Sequence, residues 1–309
     1  MKISVFDCCR FKFMWDLIRH WESLGHEVRK TLYWDPKMVN WADVTFFDWA
    51  DMSLIRATNP DDPLYKDNGL TIPKDKHIVC RCHDIDAWCG HYHRIDWNFV
   101  NDLIFVAPHI RDLVLESLTP PKTLKIHTIK HGIDTDRYTL RKNPKKNNKI
   151  GWVGAIKGHK CIELALQVLA ENPNYELHAV GTSLDSWELA YVNDFVKRNN
   201  LRFTHQDNVQ NINEFWEDKT FALLTSFKEA FSFASGEAAS KGVKPLIHWF
   251  FGAEKIWPRE WLWNKTSECR AMLTELKYEP TIYRKYIEDN YPLDKMLEEY
   301  DKIVFGTPC

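Results

Sequence analysis

Short apolar runs alternate with amphipathic stretches along most of this 309-residue chain. Lys2 to Phe6 predicts a first strand. From Phe11 to Gly25, the residues Phe13, Met14, Leu17, Ile18, Trp21 and Leu24 recur at helical spacing, and Gly25-His26 ends the helix. Further strands are predicted over Glu27 to Tyr33, Asp43 to Phe47, His77 to Cys82, Leu103 to Val106 and Lys125 to Ile129. Helices are predicted over Asp51 to Ala57 and Pro108 to Leu118. The run Arg141 to Lys149 is polar, basic and rich in breakers, which predicts a linker or surface loop.

A second alternating series follows. Strands are predicted over Ile150 to Gly154, Tyr175 to Val180, Leu201 to Thr204, Phe221 to Thr225 and Pro245 to His248. Helices are predicted over Cys161 to Ala170, Ser186 to Arg198, Asn211 to Trp216 and Ser235 to Ser240. A charged helical tail from Thr281 to Val304 breaks near Pro292. Strands alternating with helices imply parallel sheets, and so an α/β protein. The reading assigns one α/β domain to residues 1–145 and another to 146–285. A helical tail, 286–309, is expected to pack back on the first domain.

Bulk composition narrows the function classes. The chain is 44% hydrophobic and 27% charged, as expected of a globular protein. A net charge of −2 gives no global electrostatic case for nucleic acid. No apolar run is long enough to span a bilayer. The opening Met-Lys-Ile-Ser-Val-Phe-Asp is too short and too soon acidic for a signal peptide, so a cytoplasmic protein with eight reduced cysteines is expected. Many of the 14 tryptophans are expected in the core.

The stretch most telling of chemistry is Ser226-Phe-Lys-Glu229-Ala-Phe231-Ser232-Phe233-Ala-Ser-Gly236-Glu237, continuing to Gly242 and Pro245. Glu229 falls in the loop after a buried strand, and Glu237 inside the helix that follows. Ligands of open α/β sheets bind at this edge, and carboxylates there can accept hydrogen bonds from sugar or ribose hydroxyls. The order strand, Ser, Glu-x-Phe, Glu-Ala, Gly, Pro resembles the donor-binding motif of GT-B glycosyltransferases, in particular the retaining family 4. Ser232 stands where that family usually has Gly, and Lys244 adds a residue before Pro245.

The resemblance implies a GT-B fold, with two Rossmann-like domains facing a central cleft. It implies that Glu229 contacts the donor sugar, that Glu237 grips the ribose, and that Ser232 and Phe233 belong to the same nucleotide-sugar site. The segment Ile150 to Lys160 resembles the opening of the family's second domain. Lys160 keeps the place of a phosphate-neutralising lysine, while the family's arginine position is Ala155. Lys157 is a candidate for the missing charge, and a backbone nest from Gly154 to Gly158 would attract phosphate. His131-Gly-Ile-Asp134 resembles the family's interdomain turn. His83, after the fourth predicted strand, resembles the family's cleft histidine. Asp7 is expected in the same cleft. The family's glycine-rich first loop is replaced by Asp7-Cys8-Cys9-Arg10, with Arg10 or Lys12 as candidate contacts to diphosphate or an anionic acceptor.

The implied reaction is transfer of a sugar from a nucleotide diphosphate sugar to an acceptor hydroxyl with retention. A saccharide or glycolipid is the family's usual acceptor. The leaving phosphate takes the acceptor proton, so no carboxylate nucleophile is demanded. His83, Glu229 and Lys160 are the expected catalytic residues. Asp84-Ile-Asp86 has the spelling of a metal-binding Asp-x-Asp, but metal-independent catalysis with no further cofactor is expected.

Other readings stay open at this level. A sugar-nucleotide epimerase and a catalytically degenerate nucleotide-sugar binder would use the same grip. Cys80-x-Cys82-His83 with Cys89, His91 and His93 offers soft ligands for zinc, or, with Trp88, Tyr92 and Trp97, an acceptor surface. The Phe11 to Trp21 face could rest on anionic membrane. The basic 141–149 run could touch the phosphates of a modified nucleic acid.

Overall fold

A computed structural model describes residues 1–59, 61–63, 72, 73, 75–183 and 186–306. The chain forms two compact units. One comprises Met1–His131 with the segment from Asp294 on, and the other Gly132–Leu293. The last three residues of the expected tail, 307–309, lie outside the described residues.

The first unit contains β1 (Lys2–Phe6), α1 (Trp15–Ser23), β2 (Glu27–Thr31), α2 (Pro36–Trp41), β3 (Val44–Phe47), α3 (Met52–Thr58), β4 (His77–Cys82), α4 (Asp84–Cys89), β5 (Asp102–Phe105), α5 (Pro108–Leu115) and β6 (Lys125–Thr128). Its strands are all parallel, in the order β2-β1-β3-β4-β5-β6. The inner strands are mostly apolar and buried because helices cover both faces of such a sheet. Edge strand β2 carries Glu27, Arg29 and Lys30, charges that discourage edge-to-edge pairing. Helix α1 buries Leu17, Ile18 and Trp21 in the core, while Trp15 stays exposed.

The second unit contains β7 (Lys149–Val153), α6 (Ile162–Ala170), β8 (Glu176–Val180), α7 (Ser186–Asn199), β9 (Phe203–Gln206), α8 (Ile212–Phe215), β10 (Phe221–Leu224), α9 (Phe233–Ser240), β11 (Lys244–His248), β12 (Leu262–Trp263), α10 (Thr266–Thr274) and α11 (Pro280–Asn290). Strand order is β12-β11-β10-β7-β8-β9, again all parallel. This is the doubly wound Rossmann order, with its reversal between β7 and β10. In the first sheet the reversal lies between β1 and β3. The last helix, α12 (Leu293–Val304), returns to the first unit from Asp294 on. There His20 Nε2 and Trp21 Nε1 meet Asp301 at 2.7 and 3.1 Å.

The basic run 141–149 is not a loose linker. Arg141 is buried, and its guanidinium donates to the carbonyls of Lys241 at 3.0 Å, Gly242 at 3.1 Å, Glu217 at 3.1 Å and Lys219. Lys149 pairs with Asp218 at 2.8 Å, and Lys146 reaches the Glu275 carbonyl. A five-donor guanidinium is suited to bind the ends of helices, which have spare carbonyls. Segment 132–145, placed by the sequence reading in the first domain, is therefore bound into the second unit. The charges offered there to nucleic acid are in part already engaged.

Asp102 ties three strands of the first sheet together, meeting His77 at 2.9 Å and His127 at 2.7 Å. Burial raises its pKa, but the two imidazoles outweigh that and hold it below the ordinary carboxylate range. An unfolded Asp takes up its proton near pH ~4. The stability from this contact is therefore complete above that pH and is lost as pH falls through the lower folded value. Urea unfolding should show a stability gap between wild type and Asp102→Asn at neutral pH that narrows at about pH 3. An unchanged gap would refute the assignment.

Candidate functional site

Each unit gathers functional side chains at its own reversal point, beyond the carboxyl ends of the strands, where open sheets hold ligands. In the second unit, the loop after β7 first prolongs the sheet. Gly154 N donates to Val180 O at 2.9 Å, and Ile156 N to Thr182 O at 3.0 Å. These donors are spent on β8, so the nest expected from Gly154 to Gly158 does not form with them. A Cβ on Gly154 would meet the Lys160 stem at 3.7 Å, an ordinary contact. Gly181, by contrast, must be glycine. Its φ is +150°, and a Cβ there would sit 1.8 Å from Gly154 O.

Lys157 opens a tight 3-10 turn, Gly158–Lys160, and Cys161 at φ +49° starts α6. This turn is stitched to the loop after β10. Thr225 Oγ1 donates to Lys160 O at 2.8 Å and accepts from Trp152 Nε1 at 2.9 Å, while Phe227 N reaches His159 O at 3.2 Å. The stitching brings the Lys160 ammonium onto Glu229 Oε1 in a direct ion pair. Glu229 is nearly buried, whereas Lys160 remains about a fifth exposed, at 22%. Two of the residues singled out from sequence, 69 positions apart, are thus in contact.

Ser232 caps α9, its Oγ accepting from Ser235 N at 3.3 Å and Ser235 Oγ at 2.9 Å. Phe233 lies edge-on to Phe231 at 5.4 Å, and Phe231 stacks on Trp257. The small residues of α9 allow close packing: a Cβ on Gly236 would come within 3.0 Å of Ile133. Glu237, half-buried on α9, accepts from the Tyr138 hydroxyl at 2.9 Å. Tyr138, four residues past the His131–Asp134 turn, is the partner that sets this carboxylate's direction.

The first unit's cluster is assembled from three strand ends. Asp48 follows β3 and is fully buried. It accepts from Arg81 Nε, on β4, and meets His83 Nε2 at 2.9 Å. Arg81 is itself fully buried and also donates to Phe13 O at 2.9 Å. Burial raises the Asp48 pKa, but the Arg81 and His83 charges prevail and hold it low. The His83 ring stacks on Trp49 at 4.0 Å, and Trp49 Nε1 donates to Asp7 Oδ1 at 2.9 Å. His131 lies 5.9 Å from the His83 ring. Burial, with Arg81 and His83 nearby, keeps His131 neutral, its pKa far below the ordinary imidazole value. Burial and the Asp48 charge raise the Asp7 pKa.

Asp48, Arg81 and Trp49 were not singled out from sequence. An acidic residue closing a largely apolar strand was the available signal for Asp48. Asp86 is buried and accepts from His83 N at 2.9 Å and Ala50 N at 3.1 Å, so it clamps two strand ends and does not complete an Asp-x-Asp metal site. Burial raises its pKa far above the ordinary range. Arg10 has a left-handed backbone, φ +58°, and Lys12 lies over the Phe13 ring. The soft ligands from Cys80 to His93 do not converge. Cys80 and Cys82 are buried in β4 while Cys89 is exposed, and among the described residues only Asp7, Cys8 and Cys9 bring three such groups together. Tyr92 and Trp97 are core residues, with Trp97 Nε1 bonded to Tyr92 O, which leaves Trp88 exposed. Among the described residues no helix is long and apolar enough to cross a membrane.

No protein-family model matches the chain. Nor does any curated protein match it closely enough to report. Solved structures do. HepE from Anabaena, in complex with UDP and glucose, superposes with a TM-score of 0.75 at 12% identity, covering 99% of this chain and 100% of that one. The lipopolysaccharide outer core galactosyltransferase WaaB gives 0.70 at 13% identity, covering 99% of both chains. TarM gives 0.66 at 13% identity over 93% of this chain, which spans only 57% of TarM. At such identities the likeness establishes the fold. The two doubly wound parallel sheets are those of the GT-B glycosyltransferases, as the motif resemblance led one to expect.

Proposed function

We propose that this protein is a glycosyltransferase that moves a sugar from a nucleotide diphosphate sugar to an acceptor hydroxyl, with retention of configuration. The observation that carries the reading is the Lys160–Glu229 ion pair at the reversal point of a Rossmann-ordered sheet. Without donor, the pair keeps a cation and an anion mutually satisfied. With donor, each has its own target: the ammonium turns to the diphosphate and the carboxylate accepts from sugar hydroxyls. Glu237, which meets Tyr138 at 2.9 Å, accepts from the ribose hydroxyls. The neighbour HepE, solved with UDP-glucose, supports a uridine diphosphate sugar as the first donor to try.

In the mechanism, Lys160 stabilises charge that develops on the departing diphosphate, a contribution realised mainly in the transition state. Ala155 leaves the family's arginine position without charge, so Lys160 carries more of that load, with Lys157 on the same turn. Glu229 fixes the sugar's orientation. His83, with its ring set by Asp48 and Trp49, is the first unit's contribution to the sugar or the acceptor. The acceptor is a saccharide or glycolipid, and transfer needs no metal.

A panel of UDP-, GDP-, ADP- and TDP-sugars in EDTA tests this reading, by thermal shift and by slow donor hydrolysis. One donor should raise the melting temperature and be hydrolysed. Glu237→Ala should weaken its binding by about tenfold or more, the worth of one good charge-assisted hydrogen bond. Turnover to a new sugar nucleotide without acceptor would indicate an epimerase. Binding without hydrolysis or transfer to any saccharide would indicate a degenerate binder.

A further inference from the structure

The structure assigns Asp7, Cys8 and Cys9, at the carboxyl end of β1, to a binding site for a thiophilic divalent cation of the zinc class. A carboxylate oxygen of Asp7 and the two sulfurs lie within 4.8 Å of one another. The sulfurs are 3.8 Å apart. Two thiolates bound to zinc at about 2.3 Å in a tetrahedron are separated by about 3.8 Å, so the pair already has the spacing of two tetrahedral corners.

Asp7 is 2% exposed. Its Oδ1 is used twice, accepting from Trp49 Nε1 at 2.9 Å and from Cys9 N at 2.5 Å. Its Oδ2 is buried and has no hydrogen-bond partner among the described residues. An orphaned buried carboxylate oxygen is costly, and a cation beside it removes the cost. Oδ1 held by two N–H donors orients the ligating carboxylate, as outer partners do at metal sites.

Local charge also favours a cation. The Asp51 charge acts on both thiols, and those of Asp7 and Asp48 on Cys9. A divalent ion binds both sulfurs as thiolates, and their protons leave to solvent. Arg10 and Phe11 follow in left-handed backbone, φ +58° and +61°, turning the chain sharply behind the two cysteines. Three protein ligands leave a fourth position for water or an incoming group. The site shares no residue with the Lys160, Glu229 and Glu237 group, and Asp7 meets Trp49, the ring on which His83 stacks.

The test uses the full chain, reduced and freed of metal, titrated with Zn2+ against a chromophoric chelator and with Co2+ for its spectrum. One equivalent of Co2+ should bind with a thiolate-to-cobalt charge-transfer band, and Zn2+ should displace it. Cys8→Ser and Cys9→Ser should each abolish the band and cut affinity by more than the roughly 10- to 100-fold that outer-sphere changes cost. Asp7→Asn should weaken binding, while Cys89→Ser should leave it intact. Circular dichroism confirms that each variant is folded, which is expected for the exposed Cys8 and Cys9. No stoichiometric binding at micromolar metal, or a band that survives the double serine variant, overturns the assignment. The readout is a metal spectrum, so it stands or fails separately from donor turnover.

Discussion

Lys160→Ala should lower donor turnover by about 10²- to 10³-fold, the range found when one preorganised charge-stabilising group is removed from an active site. The loss should fall mainly on kcat, because the ammonium's work is greatest as the diphosphate departs. Lys160→Arg should recover part of it, since a guanidinium keeps the charge but not the point geometry. Removing Lys160 also leaves the nearly buried Glu229 without its cation. The single variant therefore needs Lys160→Ala with Glu229→Gln beside it, which removes that secondary penalty. The double variant should fold as well as wild type and still fail to turn over donor. Turnover within about threefold of wild type in Lys160→Ala would place the phosphate site elsewhere, for so small a change is under 1 kcal/mol.

The second large effect concerns the fold of the first unit. Arg81→Ala should destabilise it by about 3–5 kcal/mol, because Asp48 would remain as a buried charge deprived of its main counter-ion. Asp48→Asn with Arg81→Met should cost less than the sum of the single changes, since the uncompensated charge is gone. Hydrogen exchange at β3 and β4 is the measurement, because the pair joins the ends of these two strands. A loss below about 1 kcal/mol in Arg81→Ala would mean that water or a rearranged neighbour neutralises Asp48. His83 would also lose its orientation in the double variant. A fall in turnover larger than the fall in stability would tie this histidine to the chemistry.

Much of the fold was legible because buried parallel strands write themselves as apolar runs. Val44–Phe47, His77–Cys82 and Phe221–Leu224 stand within a residue or two of where pattern alone puts them. The short pieces did not show. Leu262–Trp263 is a two-residue strand, too brief to display a period, and α4 begins immediately after β4 with no breaker to announce it. The second unit's candidate site was legible as a motif because Glu229 and Glu237 lie on one local strand-to-helix segment. The Asp48, Arg81 and His83 cluster was not. Its members come from strands that the order β2-β1-β3-β4 makes neighbours, and no local spacing encodes that adjacency. Arg141 misled for a related reason: its basic, breaker-rich surroundings read as exposed, whereas spare carbonyls of distant segments draw its side chain inward.

The return of α12 to the first unit sets an order of assembly during synthesis. Residues 132–293 form one unbroken unit that can fold as soon as its own stretch has emerged. The first unit, although made earlier, must wait. Trp21 finds Asp301 across 280 positions, and Arg81 reaches Tyr300 across 219. Until those residues are made, the surfaces of α1 and β4 that α12 covers stay open to water. The part translated first is thus the part finished last, and over that interval its exposed apolar surface is what chaperones would meet.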